Sequence, residues 1–252
     1  MLREDFHLLA ERKTTPLSLV MAQTTAEIRE AQRLRYQVFS EEMGAHLTSL
    51  EAGIDSDMFD AYCEHLLVRD NITGAVVGTY RLLSPKMAKR VGGYYSETEF
   101  DLTRLSPLNE GMVEVGRSCV HPNYRNGVTI GLLWSGVTQY MQQHGYNYLI
   151  GCASIGMKDG GHAAASIYRR LSQEHLSPRE WRVFPHYRLP LESLDNTLNA
   201  PLPPLVKGYM RLGCLICGEP AWDPDFNTAD LLLLLPLSRM TKRFAKHYRN
   251  QT

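Results

Sequence analysis

The 252-residue chain lacks several features that would each define a class of protein. Its 27 basic and 27 acidic residues balance, so it has no overall positive charge of the kind that favours nucleic-acid binding. No apolar run approaches the roughly 20 residues of a membrane-spanning helix, and Leu231 to Leu235 predict a buried strand or helix turn instead. The nine histidines show no metal-ligand spacing, so no metal site is predicted.

Paired cysteines are also missing. The five cysteines are odd in number and scattered, and the polar N-terminus Met1 to Asp5 is unlike a signal peptide, so a reduced, cytoplasmic protein is expected. Cys214 and Cys217 have no second pair of ligands, which favours strand burial over a zinc site. The remaining composition, 44% apolar and 21% charged, predicts a soluble globular chain with a sizeable core.

Strand and helix patterns alternate along the chain. The predicted elements are a strand at 17–22, a helix capped by Thr24 or Thr25 that ends near Gly44, a hairpin of 64–69 and 75–83, a strand from Met112, a helix at about 127–144, a strand at 148–152 and a helix at 163–171. An irregular, partly helical insertion is expected at 85–111, and late sheet or helix elements at 206–216 and 228–235. The pattern indicates one domain at 17–237, an N-terminal extension at 1–16 and a basic C-terminal tail at 238–252.

The most informative stretch runs from Met112 to Gly127. An apolar strand pattern that carries Glu114 and Arg117 leads directly into a turn and a long amphipathic helix. Because a carboxylate and a guanidinium are rarely placed in an apolar run without a purpose, this pattern indicates a site. Such a pair suits transfer of an acyl group onto an amine, which must lose a proton before it attacks, and Glu114 is the candidate base. A structural ion pair of Glu114 with Arg117 or Arg81 is the alternative.

Strict alternation along a strand places Glu114 and Arg117 on opposite faces. Both can reach one site only if the strand bulges near Gly116. Such a bulge would also free a backbone N–H for the thioester oxygen, on which negative charge develops during acyl transfer.

The order β, α, hairpin, β, α, β, α around this stretch resembles the GCN5-related N-acyltransferase (GNAT) fold, an α/β fold with a mixed central sheet flanked by helices. The strand, helix and strand from Met112 onward predict a right-handed crossover with parallel pairing. In that fold the turn before the long helix binds the donor, so the resemblance implies donor contacts for Tyr124, Arg125, Asn126 and Gly127. The next glycine comes four residues after Gly127, unlike the usual coenzyme A turn, which favours a donor whose phosphopantetheine is carried on a protein.

Two families share motifs with the chain. The segment Leu34 to Phe39, the acidic loop Asp55 to Asp60, Arg81, and the pair Glu114 and Arg117 follow the order of polar residues in acyl-homoserine lactone synthases. Segments at 94–101, 152–155, 207–212 and 218–230 more closely resemble the L-ornithine Nα-acyltransferases, often labelled hemolysin-like, and this resemblance extends from about Leu19 to Leu237. It implies transfer of a 3-hydroxyacyl chain from acyl carrier protein to the α-amine of ornithine, giving lyso-ornithine lipid, with no bound cofactor.

The implied acceptor carries opposite charges at its two ends. Arg35, Arg81 and Arg117 are candidates for binding the ornithine carboxylate in a bidentate fork. Asp57 or Asp60 is the candidate for its side-chain ammonium, and a solvated acidic loop is the alternative. Phe39 is a candidate substrate contact, with a core position as the alternative.

Surface charges indicate two further contacts. Acyl carrier proteins are acidic, so Lys86, Lys89 and Arg90 are candidates for carrier binding, with a solvated basic face as the alternative. The basic stretch 239–249 can rest on anionic lipid at the inner face of the cytoplasmic membrane, or form a solvated helix. Other readings of the whole chain are an acyl-homoserine lactone synthase-like or other N-acyl amino acid synthase, and a noncatalytic membrane-associated protein.

Overall fold

A computed structural model describes residues 16–47, 49 and 51–240 of the chain. The α-helices in this part are α1 (Thr25–Tyr36), α2 (Pro85–Val91), α3 (Val128–His144), α4 (His162–His175) and α5 (Pro204–Leu212). The strands are β1 (Leu17–Met21), β2 (Glu64–Asp70), β3 (Val76–Leu83), β4 (Phe100–Asp101), β5 (Met112–Val120), β6 (Tyr148–Gly156), β7 (Phe184–Pro185), β8 (Leu215–Ile216), β9 (Ala221–Asp223) and β10 (Thr228–Pro236). A π-helix spans Gln37–Glu42, and 3-10 helices span Asp60–Tyr62, Tyr95–Thr98, Thr103–Gly111, Pro122–Tyr124, Arg179–Trp181 and Leu237–Arg239.

One mixed sheet organises the molecule. Its strand order is β1-β2-β3-β5-β6-β10-β8, with β9 also paired to β10, while β4 and β7 form a separate two-stranded sheet. The pairs are antiparallel except for β5 and β6, which are parallel. The antiparallel pair β2 and β3 confirms the predicted hairpin, and β5 and β6, which are joined through α3, confirm the predicted parallel pairing.

The first helix begins at a capping box. Thr24 is the N-cap residue, and its side chain accepts a hydrogen bond from the backbone of Glu27 while the Glu27 carboxylate accepts one from the Thr24 backbone at 3.0 Å. The helix continues as the π-helix and is capped at Met43, next to the predicted end at Gly44. This confirms the predicted element and its boundaries.

The leucine run in β10 explains why no alternation is visible there. Leu231, Leu233 and Leu235 belong to the hydrophobic cluster that includes α3, α4 and α5, whereas Leu232 and Leu234 belong to a second cluster formed with the 85–111 insertion. Both faces of this strand are therefore covered, as expected for a central strand. The strand is nine residues long, which rejects the alternative of a helix turn.

Two predicted ranges need adjustment. β6 extends to Gly156, beyond the predicted end at residue 152, because β10 pairs with it along its whole length. The range 206–216 divides into α5 and the short strand β8. Residues 1–15 of the predicted extension 1–16 and residues 241–252 of the predicted tail 238–252 lie outside the described residues. Among the described residues, no helix is long and apolar enough to cross a membrane.

The parallel strands β5 and β6 pair only at their beginnings. Met112, Val113 and Glu114 pair with Tyr148, Leu149 and Ile150, although both strands continue beyond these residues. One residue after the last paired position the strands are still very close, since a Cβ on Gly151 would lie 2.4 Å from the Val115 carbonyl oxygen. Glycine permits this approach, and beyond it the paired ladder ends.

Candidate active site

A cavity of about 260 Å³ lies where β5 and β6 are no longer paired. Its wall includes Gly116 and Arg117 from β5, and Cys152 and Ser154 from β6. A concave space at the end of a parallel pair, lined by both apolar and charged side chains, is the default location for a small-molecule site.

A bulge in β5 turns Arg117 toward this cavity. Gly116 pairs with Arg81 of β3 and Cys119 pairs with Thr79, so Arg117 and Ser118 lie opposite the single residue Tyr80. Arg117 has a φ of 51°, the left-handed conformation that bulges often require. As a result Glu114 and Arg117 both line the cavity. The bulge predicted from their spacing is confirmed, one residue after Gly116.

Glu114 is held by hydrogen bonds and not by an arginine. Its carboxylate accepts the backbone N–H of Tyr95 at 2.6 Å, the backbone N–H of Ser96 at 2.8 Å and the Ser96 hydroxyl. Within the described part of the chain it forms no ion pair, so the predicted alternative of a structural pair with Arg81 or Arg117 is wrong. Burial raises the pKa of Glu114, and the hydrogen bonds from Ser96 and Tyr95 oppose that rise.

The acidic loop is buried against arginines. Arg35, which is fully buried, donates from Nε to Asp55 at 2.7 Å and from both terminal nitrogens to Asp60 at 2.8 Å. Although burial opposes the effect, the hydrogen bonds and charge of Arg35 and the charge of Arg81 hold the pKa of Asp60 well below its usual value. Asp55 and Asp60 are buried, so the alternative of a solvated acidic loop is wrong.

Arg81 and Arg117 lie between this loop and the cavity. Arg81 donates to Asp57 at 2.7 Å and to Asp60 at 3.1 Å. Arg117 contacts Asp55 and Asp57 only at 3.4 Å, and its guanidinium lies over the rings of Tyr95 and Phe226. Three arginines thus neutralise three aspartates, and Arg117 has the loosest contacts of the three.

The predicted acceptor residues divide into two groups. Phe39, Arg81, Glu114 and Arg117 line the cavity, and Phe39 also packs edge-on against Phe226. Arg35, Asp57 and Asp60 are not part of its wall. Their contacts give them a positioning role. Asp57 and Asp60 bind the guanidinium groups of Arg81 and Arg117, and Arg35 in turn binds Asp60. The assignment of Asp57 or Asp60 to a substrate ammonium therefore has no support in the geometry.

The predicted donor turn lies away from the cavity wall. Tyr124 donates its hydroxyl to Asp70 at 2.5 Å, and Arg125 forms a two-pronged pair with Glu42 at 2.6 and 2.7 Å. Asn126 accepts the backbone N–H of Val128 through its side chain, while Gly127 supplies the left-handed φ of 89° at the start of α3. The side chains of Tyr124, Arg125 and Asn126 thus have partners within the chain. Lys86, Lys89 and Arg90 are all exposed on α2.

Comparison with known proteins gives the family. Residues 34–135 match the Acetyltransferase (GNAT) domain family. The L-ornithine N(alpha)-acyltransferase of Brucella abortus is 38% identical to the chain over 248 residues, covering 92% of the chain and 88% of the relative. The protein of the same name from Rhizobium meliloti is 41% identical over 250 residues, covering 90% of the chain and 82% of the relative. The chain belongs to the L-ornithine N(alpha)-acyltransferase family.

Members of this family are acyltransferases, and solved structures show the same fold. The CoA-dependent acyl-homoserine lactone synthase MesI superposes with a TM-score of 0.53 at 13% identity, covering 92% of the chain and 93% of that structure. The predicted GNAT fold and the predicted family are both confirmed.

None of the three cysteines in or near the acyltransferase site has the properties of a nucleophile. Cys63 and Cys152 line the cavity, whereas Cys119 does not. Burial raises the pKa of Cys63 and of Cys119 to about 12, and burial with the nearby Glu99 raises the pKa of Cys152 well above its usual value. Because the thiolate is the reactive form, all three cysteines stay protonated near neutral pH.

Sequence reasoning missed an acidic part of the cavity. Glu99, Asp223 and Asp230 line its wall, as does Tyr95. One signal was present, since Asp230 directly precedes the apolar run Leu231 to Leu235 and is a charge at the start of a buried strand. Nothing in the pattern around Glu99 distinguishes it from its neighbour Glu97, which is exposed.

Proposed function

We propose that this chain transfers a 3-hydroxyacyl chain from acyl carrier protein to the α-amine of L-ornithine, forming lyso-ornithine lipid. The observation that carries the proposal is the bulge that brings Glu114 and Arg117 into one cavity. The names of the relatives give the acceptor, and a carboxylate beside a loosely held guanidinium suits an amino acid with an α-amine and an α-carboxylate.

Glu114 is the proposed proton acceptor. The α-ammonium of ornithine loses a proton to Glu114, directly or through one water, and its nitrogen then attacks the thioester carbon. The C–N bond forms, the C–S bond breaks, and the departing sulfur of phosphopantetheine takes up a proton. Burial raises the pKa of Glu114 above that of an ordinary glutamate, which supports this role because a stronger base accepts the proton more readily near neutral pH.

Arg117 is the proposed partner of the α-carboxylate. Its side chain is 14% exposed, and its contacts with Asp55 and Asp57 are long, so hydrogen-bonding capacity remains for a ligand. Arg81 also reaches the cavity but is held by short contacts with Asp57 and Asp60. In this arrangement Arg35 acts as a positioning residue, since its hydrogen bonds fix the loop that orients the other two arginines.

A donor carried on a protein fits the turn before α3 better than a nucleotide does. Arg125 is engaged with Glu42, and Asn126 accepts one of the first backbone N–H groups of the helix, so fewer groups are left for a pyrophosphate. The exposed side chains of Lys86, Lys89 and Arg90 on α2 offer a basic surface for an acidic carrier. We also propose a cytoplasmic location with peripheral contact to anionic lipid, for which the basic tail is the candidate.

The mass of the product tests this function. Purified protein is incubated with 3-hydroxyacyl carrier protein and a panel containing ornithine, lysine, glutamine, glycine and S-adenosylmethionine. The expected product is N-acyl-ornithine, and Glu114→Gln is expected to abolish most of it. A lactone formed from S-adenosylmethionine would show an acyl-homoserine lactone synthase instead. No product from any acceptor, together with lipid binding that survives Glu114→Gln, would show a noncatalytic membrane protein.

A further inference from the structure

The acidic part of the cavity is formed by residues from distant parts of the chain. Glu99 follows the 3-10 helix Tyr95–Thr98, Asp223 ends β9, and Asp230 lies near the start of β10. Glu99 and Asp230 each place a carboxylate oxygen so close to the Cys152 sulfur that all three atoms lie within 4.8 Å of one another. This grouping is separate from the Asp55, Asp57 and Asp60 loop.

Several polar atoms here lack a fixed donor from the protein. Asp230 is 4% exposed and Thr228 is 3% exposed, yet with both carboxyl groups ionised no donor among the described residues satisfies Asp230 Oδ1, Thr228 Oγ1 or Glu99 Oε2. Only a proton shared between Glu99 and Asp230 links these two carboxyl groups. Buried polar atoms are normally hydrogen-bonded, and an unpaired one is costly. All three residues line the cavity, so their side chains border a space that a ligand can enter.

Positive charge is also missing from this part of the cavity. No arginine or lysine among the described residues forms an ion pair with Glu99, Asp223 or Asp230, whereas each aspartate of the 55–60 loop contacts at least one arginine. Burial and the neighbouring carboxylates raise the pKa of Glu99 to about 9, and burial raises that of Asp230 to about 6. Near neutral pH the two carboxyl groups of Glu99 and Asp230 therefore hold one proton between them, since no protein cation neutralises their charge.

We infer that Glu99 and Asp230 bind the side-chain ammonium of the acceptor amino acid and so select ornithine over neutral amino acids. This inference rests on the proposed function and adds the location of the second charged end of the substrate. An ammonium offers three N–H donors, and the Glu99 and Asp230 carboxyl groups with the Thr228 hydroxyl supply acceptors on this part of the cavity wall. The carboxylate end then lies at Arg117, on the wall of the same cavity.

A metal ion is the other cation that such a group of ligands can hold. Zinc favours a thiolate, whereas the raised pKa of Cys152 keeps this thiol protonated in the ligand-free protein. Hydroxyl and carboxylate oxygens without a thiolate fit an ammonium directly. We therefore assign the site to the substrate.

The test compares ornithine with L-norvaline, which has the same carbon skeleton without the terminal amine. Wild-type protein is expected to show a kcat/KM for ornithine at least about 100-fold above that for norvaline, since a site built for a hydrogen-bonding group rejects an analogue that lacks it. Glu99→Gln and Asp230→Asn are each expected to lower this ratio by about tenfold or more, because the loss of kcat/KM is larger for ornithine than for norvaline. Asp225→Asn is the matched control, because Asp225 is an exposed carboxylate on the same β9–β10 hairpin and does not line the cavity.

The pH dependence of the ratio separates binding from a structural role. A bound ammonium displaces the retained proton, so the ornithine-to-norvaline ratio should rise between about pH 6 and pH 9 in the wild type. In each variant the rise should be smaller and lie at lower pH, because the remaining carboxyl group has lost its charged neighbour. The other titratable groups that face the pair are Asp223, Cys152 and Tyr95. Norvaline shares the α-amine and α-carboxylate, so their titration cancels from the ratio.

Two results would overturn the inference. One is an unchanged ratio in folded Glu99→Gln and Asp230→Asn variants that still acylate norvaline. The other is activity that is lost on chelation and restored by Zn²⁺ alone, since the pair would then hold a metal. If the wild type acylates neither amino acid, the proposed function itself fails, and that outcome is distinct from both.

Discussion

Ser96 holds the Glu114 carboxylate from two positions, because its backbone N–H and its hydroxyl both donate to the same Glu114 oxygen. The two residues are 18 positions apart in the chain, and the 3-10 helix Tyr95–Thr98 brings them together. This contact stabilises the ionised form of Glu114 in a buried setting, where burial alone favours the protonated form.

Ser96→Ala is therefore expected to shift the acid limb of the pH profile. Loss of the hydroxyl hydrogen bond raises the pKa of Glu114 further, so the acid limb of kcat/KM moves to higher pH and activity at neutral pH falls by up to about tenfold. The measurement is kcat/KM from pH 5 to 9. Ser172→Ala, which removes a partly buried hydroxyl on α4 that donates to the Arg169 carbonyl, is the control and should leave the profile in place. An unshifted limb in Ser96→Ala would contradict the proposed base.

Glu114→Gln tests the base itself. Proton transfer by a positioned group contributes about 10²- to 10⁴-fold, so kcat should fall within this range. The loss should be larger at low pH than at high pH, where more of the amine is already deprotonated. A uniform loss across pH would assign Glu114 to folding or binding instead, and thermal unfolding of the variant distinguishes these two.

Arg35 and Arg117 are expected to differ in what their loss affects. Arg35→Met leaves Asp55 and Asp60 buried without their partner and should lower the free energy of unfolding by about 3 to 5 kcal/mol. Arg117→Met removes only long contacts and should cost under about 1 kcal/mol, but it should raise the KM for the amino acid by about tenfold or more. Urea unfolding and steady-state kinetics of both variants provide the comparison. Equal destabilisation by the two changes would contradict the positioning role of Arg35.

Glu99→Gln is expected to stabilise the protein at alkaline pH. A folded-state pKa of about 9, raised from 4.5, means that the unfolded chain loses this proton first, so the free energy of unfolding falls as pH rises through that window. Glutamine does not titrate, so the variant should lose this pH dependence of stability. Its Tm should exceed that of the wild type most near pH 9 and little near pH 4, and scanning calorimetry of both proteins across this range measures the difference. A Tm increase that is the same at both ends would show that charge is not the cause.

The basic surface of α2 is expected to act only on a protein-bound donor. Reversing Lys86, Lys89 and Arg90 to glutamate should raise the KM for the acyl carrier protein by about tenfold at low salt, and less as salt rises. The KM for a small acyl-pantetheine thioester should not change. Arg169→Glu on α4, another exposed basic residue, serves as the control. Equal effects on both donors would place the contact at the thioester itself.

Local patterns predicted most of the fold. The alternation in the hairpin, the capping signal at Thr24 and the apolar stripe of α3 are properties of short segments, so they can be read without knowledge of the tertiary structure. The bulge was predictable for a different reason: two charges in one strand could meet in no other way. The bulge predicted near Gly116 lies at Arg117 and Ser118, because the spacing requires an extra residue without indicating which residue adopts the unusual backbone conformation.

The partners of the charged residues were much less predictable. The sequence does not indicate whether Arg35 binds a substrate or a neighbouring side chain. The structure shows that its guanidinium is buried and that Asp55 and Asp60 accept its hydrogen bonds. The Glu99 and Asp230 pair joins an insertion to a late strand, so no local pattern connects its members. Long-range pairing of this kind depends on sheet order, which places β10 next to β6.

The extra residue in β5 makes the number of residues between Gly116 and Cys119 as important as their identity. A substitution at Ser118 leaves the number of residues between Gly116 and Cys119 unchanged. Deletion of Ser118 is expected to restore a continuous ladder with β3 and to turn the Arg117 side chain to the other face of the sheet. Such a shortened chain would gain regular strand pairing while losing its guanidinium from the cavity. Natural variation in length at this point is therefore expected to be more restricted than variation in side chain.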